Sequence, residues 1–487
     1  MRRPAIPALM AIFIAVMLTM SALPQRWAEA APAPTASPRE FAVLAPDGQL
    51  NESAVKAESA ILMDSRTGKV LFEKNADAKQ YPASTTKVMT CLLAIEKGKL
   101  SDLVTVGKLP KLEKGSTIIN LKQGETMTLE DMLYGLMMHS GNDAAQAVAI
   151  YIGGSIEGFA AMMNEKALEL GMTNTHYVNP HGLQNTEHYT TVRDMATLAI
   201  AARKYPEFAK IVSTYKYTIS ATNKTNTPRQ MINSNKLISQ SPTEIYAYKY
   251  ATGIKTGYTT TAKSALVSSA TKDSLDLVAV VMRDSALEKW TDCITMFEYA
   301  FTFYDTLNLS EMMASQTLTI PVPEASEADA NKGQLDLQLL SDKPVYITDR
   351  TDKIEKLKAD IKQFEQKVTL IPDLKAPIAR DQELGTVTFS LDGAPVLTCK
   401  LLACRDVNSK SPAKDSTSPQ KSNKPQNNVP TENLKQNTAG AWLIAVGAVI
   451  LLLLASMLAI RYINLRRRGS KVRQYNFRKR SGTGRKH

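Results

Sequence analysis

The stretch Tyr81-Pro-Ala-Ser-Thr-Thr-Lys-Val-Met-Thr-Cys-Leu-Leu-Ala-Ile-Glu96 sets the hardest condition on any fold this chain adopts. Pro82 and the apolar-periodic run beyond it predict a loop that delivers Ser84 to the N-terminus of a helix ending near Gly98. Three residues is just under one helical turn, so Lys87 shares a face with Ser84. A serine hydroxyl is a weak nucleophile until a neighbouring base takes its proton. A lysine is such a base only when uncharged, which requires burial or a nearby cation. The helix N-terminus adds positive partial charge beside a developing alkoxide. The fold must therefore bury that amine or set a cation beside it.

Spacing alone does not single out Ser84. Ser53/Lys56, Ser213/Lys216, Ser269/Lys272, Ser411/Lys414 and Ser418/Lys421 repeat it by chance. Two later stretches give it weight: Ser140-Gly141-Asn142, then Lys255-Thr256-Gly257. Leu129 to Met138 carries Leu and Met at helical spacing and runs into a break, with a second helix from Asp143 to about Tyr151. Ser140 and Asn142 would project from that connection, where their side chains can hydrogen-bond a lysine, a proton in transit or an amide. Lys255-Thr-Gly257-Tyr258 precedes two apolar runs, 264–271 and 275–282, that read as strands. The triplet is thus expected on or at the edge of a sheet. Gly257 lets a ligand approach the strand backbone, and Lys255 and Thr256 can hold a carboxylate.

The rest of the body fits an α+β reading. Residues 58–73 predict two strands around a turn at Arg66-Thr67-Gly68. Phe159 to Leu170 is amphipathic and stops at Gly171, and Thr190 or Thr191 caps a further helix. Asn179-Pro-His-Gly-Leu183 reads as a loop in which His181 fixes the backbone rather than acting as a base. Glu288 to Phe303 closes this domain as a helix. From about Thr317 the pattern alternates at period two, and Asp392-Gly393 marks a hairpin turn, so a small all-β module follows.

The ends differ from the body. The chain has 487 residues and a formal charge of +12, but eleven Lys and Arg lie between Arg461 and Lys486 with no acidic residue among them. Arg2, Arg3 and Arg26 against Glu29 add two more, which leaves everything between close to neutral. Nucleic-acid binding has no electrostatic footprint there. Residues 1–30 read as a secretory signal peptide with a small-residue cleavage site at Ala28-Glu-Ala30. Residues 406–440, rich in Ser, Pro, Lys, Asn and Gln, read as a disordered linker with a reach on the order of 35 Å. Ala441 to Ile460 is uncharged and long enough to span a bilayer, so 441–461 is the expected transmembrane helix. The basic tail at 462–487 places the C-terminus in the cytoplasm and the body outside.

The order and context of the three motifs resemble the low-molecular-mass penicillin-binding proteins, the serine-type D-alanyl-D-alanine carboxypeptidases. Asn179-Pro-His-Gly-Leu183, Thr190-Thr-Val-Arg-Asp-Met195 and Ala376-Pro-Ile378 share in the likeness, which covers about residues 50–405. It implies a penicillin-binding/β-lactamase-like domain over 50–310, an antiparallel sheet with flanking helices, and a small β-domain over 315–405. It also implies a mechanism. Ser84 attacks the D-Ala–D-Ala carbonyl, Lys87 takes its proton, and Ser140 relays a proton to the leaving D-alanine. Asn142 binds the peptide amide. Lys255, Thr256 and Gly257 form the carboxylate site, and the backbone N–H groups of Ser84 and Tyr258 form the oxyanion hole. Peptidoglycan stem peptides are then the substrate, β-lactams the inhibitors, and no metal or cofactor is called for.

Other readings stay open at this stage: a D,D-endopeptidase, a transpeptidase, a β-lactamase, or an idle wall-binding scaffold. Glu165 and Leu168 have the spacing of the deacylating glutamate motif of class A β-lactamases, but Glu169 stands where that motif needs Asn. The partial match is a chance one. Cys91 and Cys293 fall on apolar helical faces and are expected buried and free. Cys399 and Cys404 are five residues apart, so on one straight strand they face opposite ways and a disulfide between them needs a bend; the pairing stays open.

Overall fold

The structure, a computed structural model, describes residues 48–410. The expected signal peptide, transmembrane helix and basic tail, and the linker beyond Lys410, lie outside the described residues. Residues 406–410, which composition assigns to the linker, are instead pinned to the second domain. Val407 is buried and pairs with Ile378, and Lys410 N donates to Glu324 O at 2.9 Å. One apolar side chain with a strand-like partner outweighs the polar composition around it.

The strands of the first domain are β1 (Ser59–Asp64), β2 (Val70–Lys74), β3 (Leu103–Thr105), β4 (Thr126–Thr128), β5 (Lys216–Ile219), β6 (Arg229–Ile232), β7 (Ala251–Thr259), β8 (Lys263–Lys272) and β9 (Leu275–Asp284). Its centre is a five-stranded antiparallel sheet in the order β2-β1-β9-β8-β7. The run Leu275–Met282 explains why the sheet is covered on both faces. Leu277, Ala279 and Val281 point into one core, with Trp290, Met296 and Phe297 of the Glu288–Phe303 helix. Val278, Val280 and Met282 point into the other, shared with helices Lys87–Lys97, Leu129–Met138, Asn142–Gly153, Ile156–Glu169 and Val192–Arg203. Apolar residues at both parities leave no face for water. Strand β7, carrying Lys255-Thr-Gly257, is an edge of this sheet.

Two helix starts carry threonine caps. Thr128 Oγ1 accepts from Asp131 N, and Thr191, one of the two candidate caps, accepts from Asp194 N. One start differs. Ser84 does not open an α-helix; it sits in a 3-10 turn, Ala83–Thr86, and the α-helix begins at Lys87. In a 3-10 turn residues three apart eclipse, which sets Lys87 more directly over Ser84 than α-geometry would.

The second domain begins with β10 (Tyr304–Asn308) and continues through β11 (Thr317–Pro321), β12 (Gln334–Leu340), β13 (Tyr346–Arg350), β14 (Glu365–Leu370), β15 (Glu383–Leu391) and β16 (Ala394–Ala403). Five strands form an antiparallel sheet, β11-β12-β16-β15-β14, while β10 pairs with β13. The module is not purely β: Thr351–Ala359 is a helix whose Ile354 and Leu357 enter the core. Cys399 is buried, Cys404 is exposed, and both are free thiols, as are the buried Cys91 and Cys293. Among the described residues no helix is long and apolar enough to cross a membrane.

Candidate active site

Lys87 is the buried centre of the site, with no exposed surface. Its Nζ lies 3.0 Å from Ser84 Oγ, 2.7 Å from Asn142 Oδ1 and 2.8 Å from the carbonyl oxygen of His181. Burial, and next the charge of Lys255, hold its pKa well below the usual lysine range, while Asp143 pulls the other way. Burial and a neighbouring cation, either of which would answer the demand of the Ser84–Lys87 pair, are therefore both present.

The loop at 179–183 supplies the third partner, and its backbone is shaped for that. Asn179 Oδ1 accepts from Gly182 N at 2.7 Å, and Pro180 O accepts from Thr90 Oγ1 at 2.6 Å. Gly182 has φ +84°, and a Cβ there would fall 1.7 Å from Ala83 O. Only glycine lets this loop lie against the turn that carries Ser84. His181 acts through its carbonyl, while its Nδ1 accepts from Leu183 N at 3.2 Å. His188 Nδ1 accepts from Val178 N, and its Nε2 lies 2.8 Å from Thr86 Oγ1. Burial pushes the pKa of both imidazoles down to about 3, so they serve as neutral hydrogen-bonding groups.

The middle motif is split between a loop and a helix. Ser140 occupies the left-handed region at φ 64°, and Asn142 is the first residue of its helix. Asn142 N donates to Thr117 O at 2.8 Å. The adjacent Asp143, also buried, accepts from Ile119 N and Leu121 N at 2.9 Å each. Segment 117–121 is thereby fastened to the helix start that presents Asn142.

Strand β7 lies directly against the Ser84 turn. A Cβ on Gly257 would come 3.1 Å from Pro82 O and 3.3 Å from Ser84 N. Lys255 is buried and its Nζ donates to Thr256 O at 3.1 Å. Burial, then the charge of Lys289, pushes its pKa down to about 7. Thr256 is half-buried, and Tyr258, the next residue on its face, is exposed. The structure thus brings together Ser84, Lys87, Asn142, Lys255, Thr256 and Gly257, with Ser140 in the loop just before the Asn142 helix and Tyr258 next to Gly257 on β7. Sequence reasoning does not find the His181 carbonyl, because a main-chain acceptor has no residue signature. It also passes over Asp143, which adjoins Asn142 in the sequence, and Lys289, which the fold alone brings near Lys255.

A family described as D-alanyl-D-alanine carboxypeptidase matches residues 46–286, and one described as penicillin-binding protein 5, C-terminal domain, matches 319–409. D-alanyl-D-alanine carboxypeptidase DacF of Bacillus subtilis is 35% identical over 366 residues, spanning 73% of this chain and 87% of the relative. D-alanyl-D-alanine carboxypeptidase DacC of Escherichia coli is 32% identical over 389 residues, spanning 77% and 88%. Among solved structures, penicillin binding protein 5 from Haemophilus influenzae is 27% identical, with a TM-score of 0.51, and covers 73% of this chain and 98% of that one. The α+β domain is of the penicillin-binding type, and the chain belongs to the D-alanyl-D-alanine carboxypeptidase family of serine peptidases.

Proposed function

We propose that this carboxypeptidase removes the terminal D-alanine of peptidoglycan stem pentapeptides through an acyl-enzyme on Ser84. The observation that carries the reading is the 3.0 Å contact between Lys87 Nζ and Ser84 Oγ around a fully buried amine. An uncharged amine has two hydrogens and one lone pair. Asn142 Oδ1 and the His181 carbonyl accept the two hydrogens, which leaves the lone pair for the Ser84 proton.

Ser84 Oγ then adds to the carbonyl carbon as its proton passes to Lys87. The oxyanion forms against the N–H groups of Ser84 and Tyr258, whose hydrogen bonds strengthen only as charge develops. Collapse breaks the C–N bond, and the leaving D-alanine nitrogen takes a proton from Lys87 relayed by Ser140. Water next adds to the ester, gives a proton back to the lysine, and Ser84 departs protonated. Asn142 holds the peptide amide, and Lys255 and Thr256 hold the terminal carboxylate against the Gly257 backbone. A β-lactam offers the same carbonyl and acid group, so it acylates Ser84 and stays.

The domain plan extends the reading. Residues 1–30 direct export, the linker before residue 441 is a tether, and 441–461 anchors the enzyme with its catalytic domain outside the cell. The experiment is D-alanine release from a stem pentapeptide by the purified enzyme, beside labelling with a tagged penicillin. Both are expected, and both are lost in Ser84→Ala. Rapid turnover of the penicillin instead indicates a β-lactamase, and absence of label indicates a scaffold.

A further inference from the structure

We infer that Ser234 is a positioning residue for the acid end of the substrate: its hydroxyl turns the Thr256 hydroxyl toward the bound carboxylate. The inference rests on the carboxypeptidase reading above.

Ser234 lies between β6 and β7 in Asn233-Ser234-Asn235, outside the three motifs. Asn233 is buried; its Nδ2 donates to Val212 O and Thr214 O at 3.3 and 3.1 Å, and its N donates to Tyr215 O at 2.9 Å. Its Oδ1 accepts from Asn235 N at 2.9 Å. Asn235 is wholly buried, and its Oδ1 accepts from Leu237 N at 3.1 Å. Two buried asparagines thus fix the chain on each side of an exposed serine. The Asn233 amide, with its several partners, gives up side-chain freedom and holds a conformation, and Asn235 adds one hydrogen bond through Oδ1. What they hold is Ser234, whose N donates to Met138 O at 3.1 Å and whose Oγ lies 2.9 Å from Thr256 Oγ1. Met138 ends the helix that leads into Ser140, so one residue spans from the Ser140 side of the cleft to the Lys255 strand.

The hydroxyl pair has a direction once substrate binds. A carboxylate has no hydrogen to give, so Thr256 must donate to it. Ser234 must then be the donor to Thr256. With Ser234 in place, Thr256 Oγ1 is held at 2.9 Å from a group that donates to it and leaves its own proton for the carboxylate; without it, the hydroxyl rotates freely and its rotor is ordered at the expense of binding. The chemical steps at Ser84 involve neither hydroxyl.

The test is steady-state D-alanine release by the full enzyme and its Ser234→Ala and Ser234→Thr variants. Ser234→Ala is expected to raise KM about tenfold and to leave kcat within about twofold. Ser234→Thr, which keeps the hydroxyl, is expected to restore KM. An unchanged KM in Ser234→Ala overturns the inference, as does a fall in kcat matching the rise in KM, or a Thr variant no better than Ala. Wild-type enzyme that releases no D-alanine sinks the carboxypeptidase reading itself, whereas active wild type with an unaffected Ser234→Ala sinks only this inference.

Discussion

The two domains bury different things. In the first, Lys87, Lys255, Glu125, Asn142, Asp143, His181 and His188 are all buried among apolar residues. In the second, the buried polar residues among those described are Thr306 and Thr348, whose hydroxyls satisfy each other at 2.8 Å. Its core is otherwise Leu, Ile, Val, Phe and Ala with one Met and one Cys. Buried ionisable groups are unfavourable unless paired, and each needs a reason to be there. In the first domain Lys87, Lys255, Asn142, Asp143, His181 and His188 gather at and around the Ser84 turn, whereas the described residues of the second bury no Asp, Glu, Lys, Arg or His.

Lys87→Met breaks that contrast most directly. It keeps the length of the side chain but removes the base, and activity should fall on the order of 10⁴-fold or more. Near-UV circular dichroism should show the fold retained. Substantial residual D-alanine release would mean that another group takes the Ser84 proton. The mirror experiment lies in the second domain. Phe389 is 1% exposed in its core, so Phe389→Ala should cost about 3–5 kcal/mol of stability by denaturant titration. The kcat/KM of the folded fraction should stay as it was. A loss of kcat/KM in proportion would make the β-domain a working part of the site.

The pH profile sharpens the contrast at smaller amplitude. Lys87 must be uncharged to act and Lys255 charged to grip a carboxylate. As pH falls through the depressed pKa of Lys87, the base is protonated and kcat/KM drops. As pH rises through about 7, Lys255 loses its proton and kcat/KM drops again, by about tenfold per unit. Lys255→Arg should lower the plateau and abolish the alkaline limb, because a guanidinium stays charged throughout. A wild-type profile flat from neutral to alkaline pH would show that substrate binding does not depend on the charge of Lys255.

Much of this is legible in the sequence, and the gaps follow a pattern. Ser84/Lys87 and Lys255/Gly257 can be read because a side chain's chemistry and its spacing are both written in the chain. The continuous apolar run of β9 announces a doubly covered strand. The His181 carbonyl cannot be read, since any residue has one; what selects it is the close approach that Gly182 permits. Ser234 is hidden because a serine between two asparagines looks like a turn, until Met138 and Thr256 stand beside it. The helix at Thr351–Ala359 has a signal, Ile354 and Leu357 at helical spacing, submerged in charge.

The smallest expected effect concerns the four cysteines. Cys399 lies within β16 and Cys404 just past its end, where its N donates to Asp336 O at 3.0 Å. Five residues of extended chain separate their Cα atoms by roughly 16 Å, and a disulfide needs less than about 7 Å. Burial also pushes the Cys399 thiol pKa up, away from reactivity. Dithiothreitol should therefore leave the melting temperature unchanged, even for enzyme recovered from an oxidising compartment. Native alkylation should modify Cys404 and spare Cys91, Cys293 and Cys399, which are buried. A melting temperature that falls on reduction would mean that the end of β16 bends enough to bring Cys404 back over the core, and that the second domain depends on a covalent staple as well as its apolar packing.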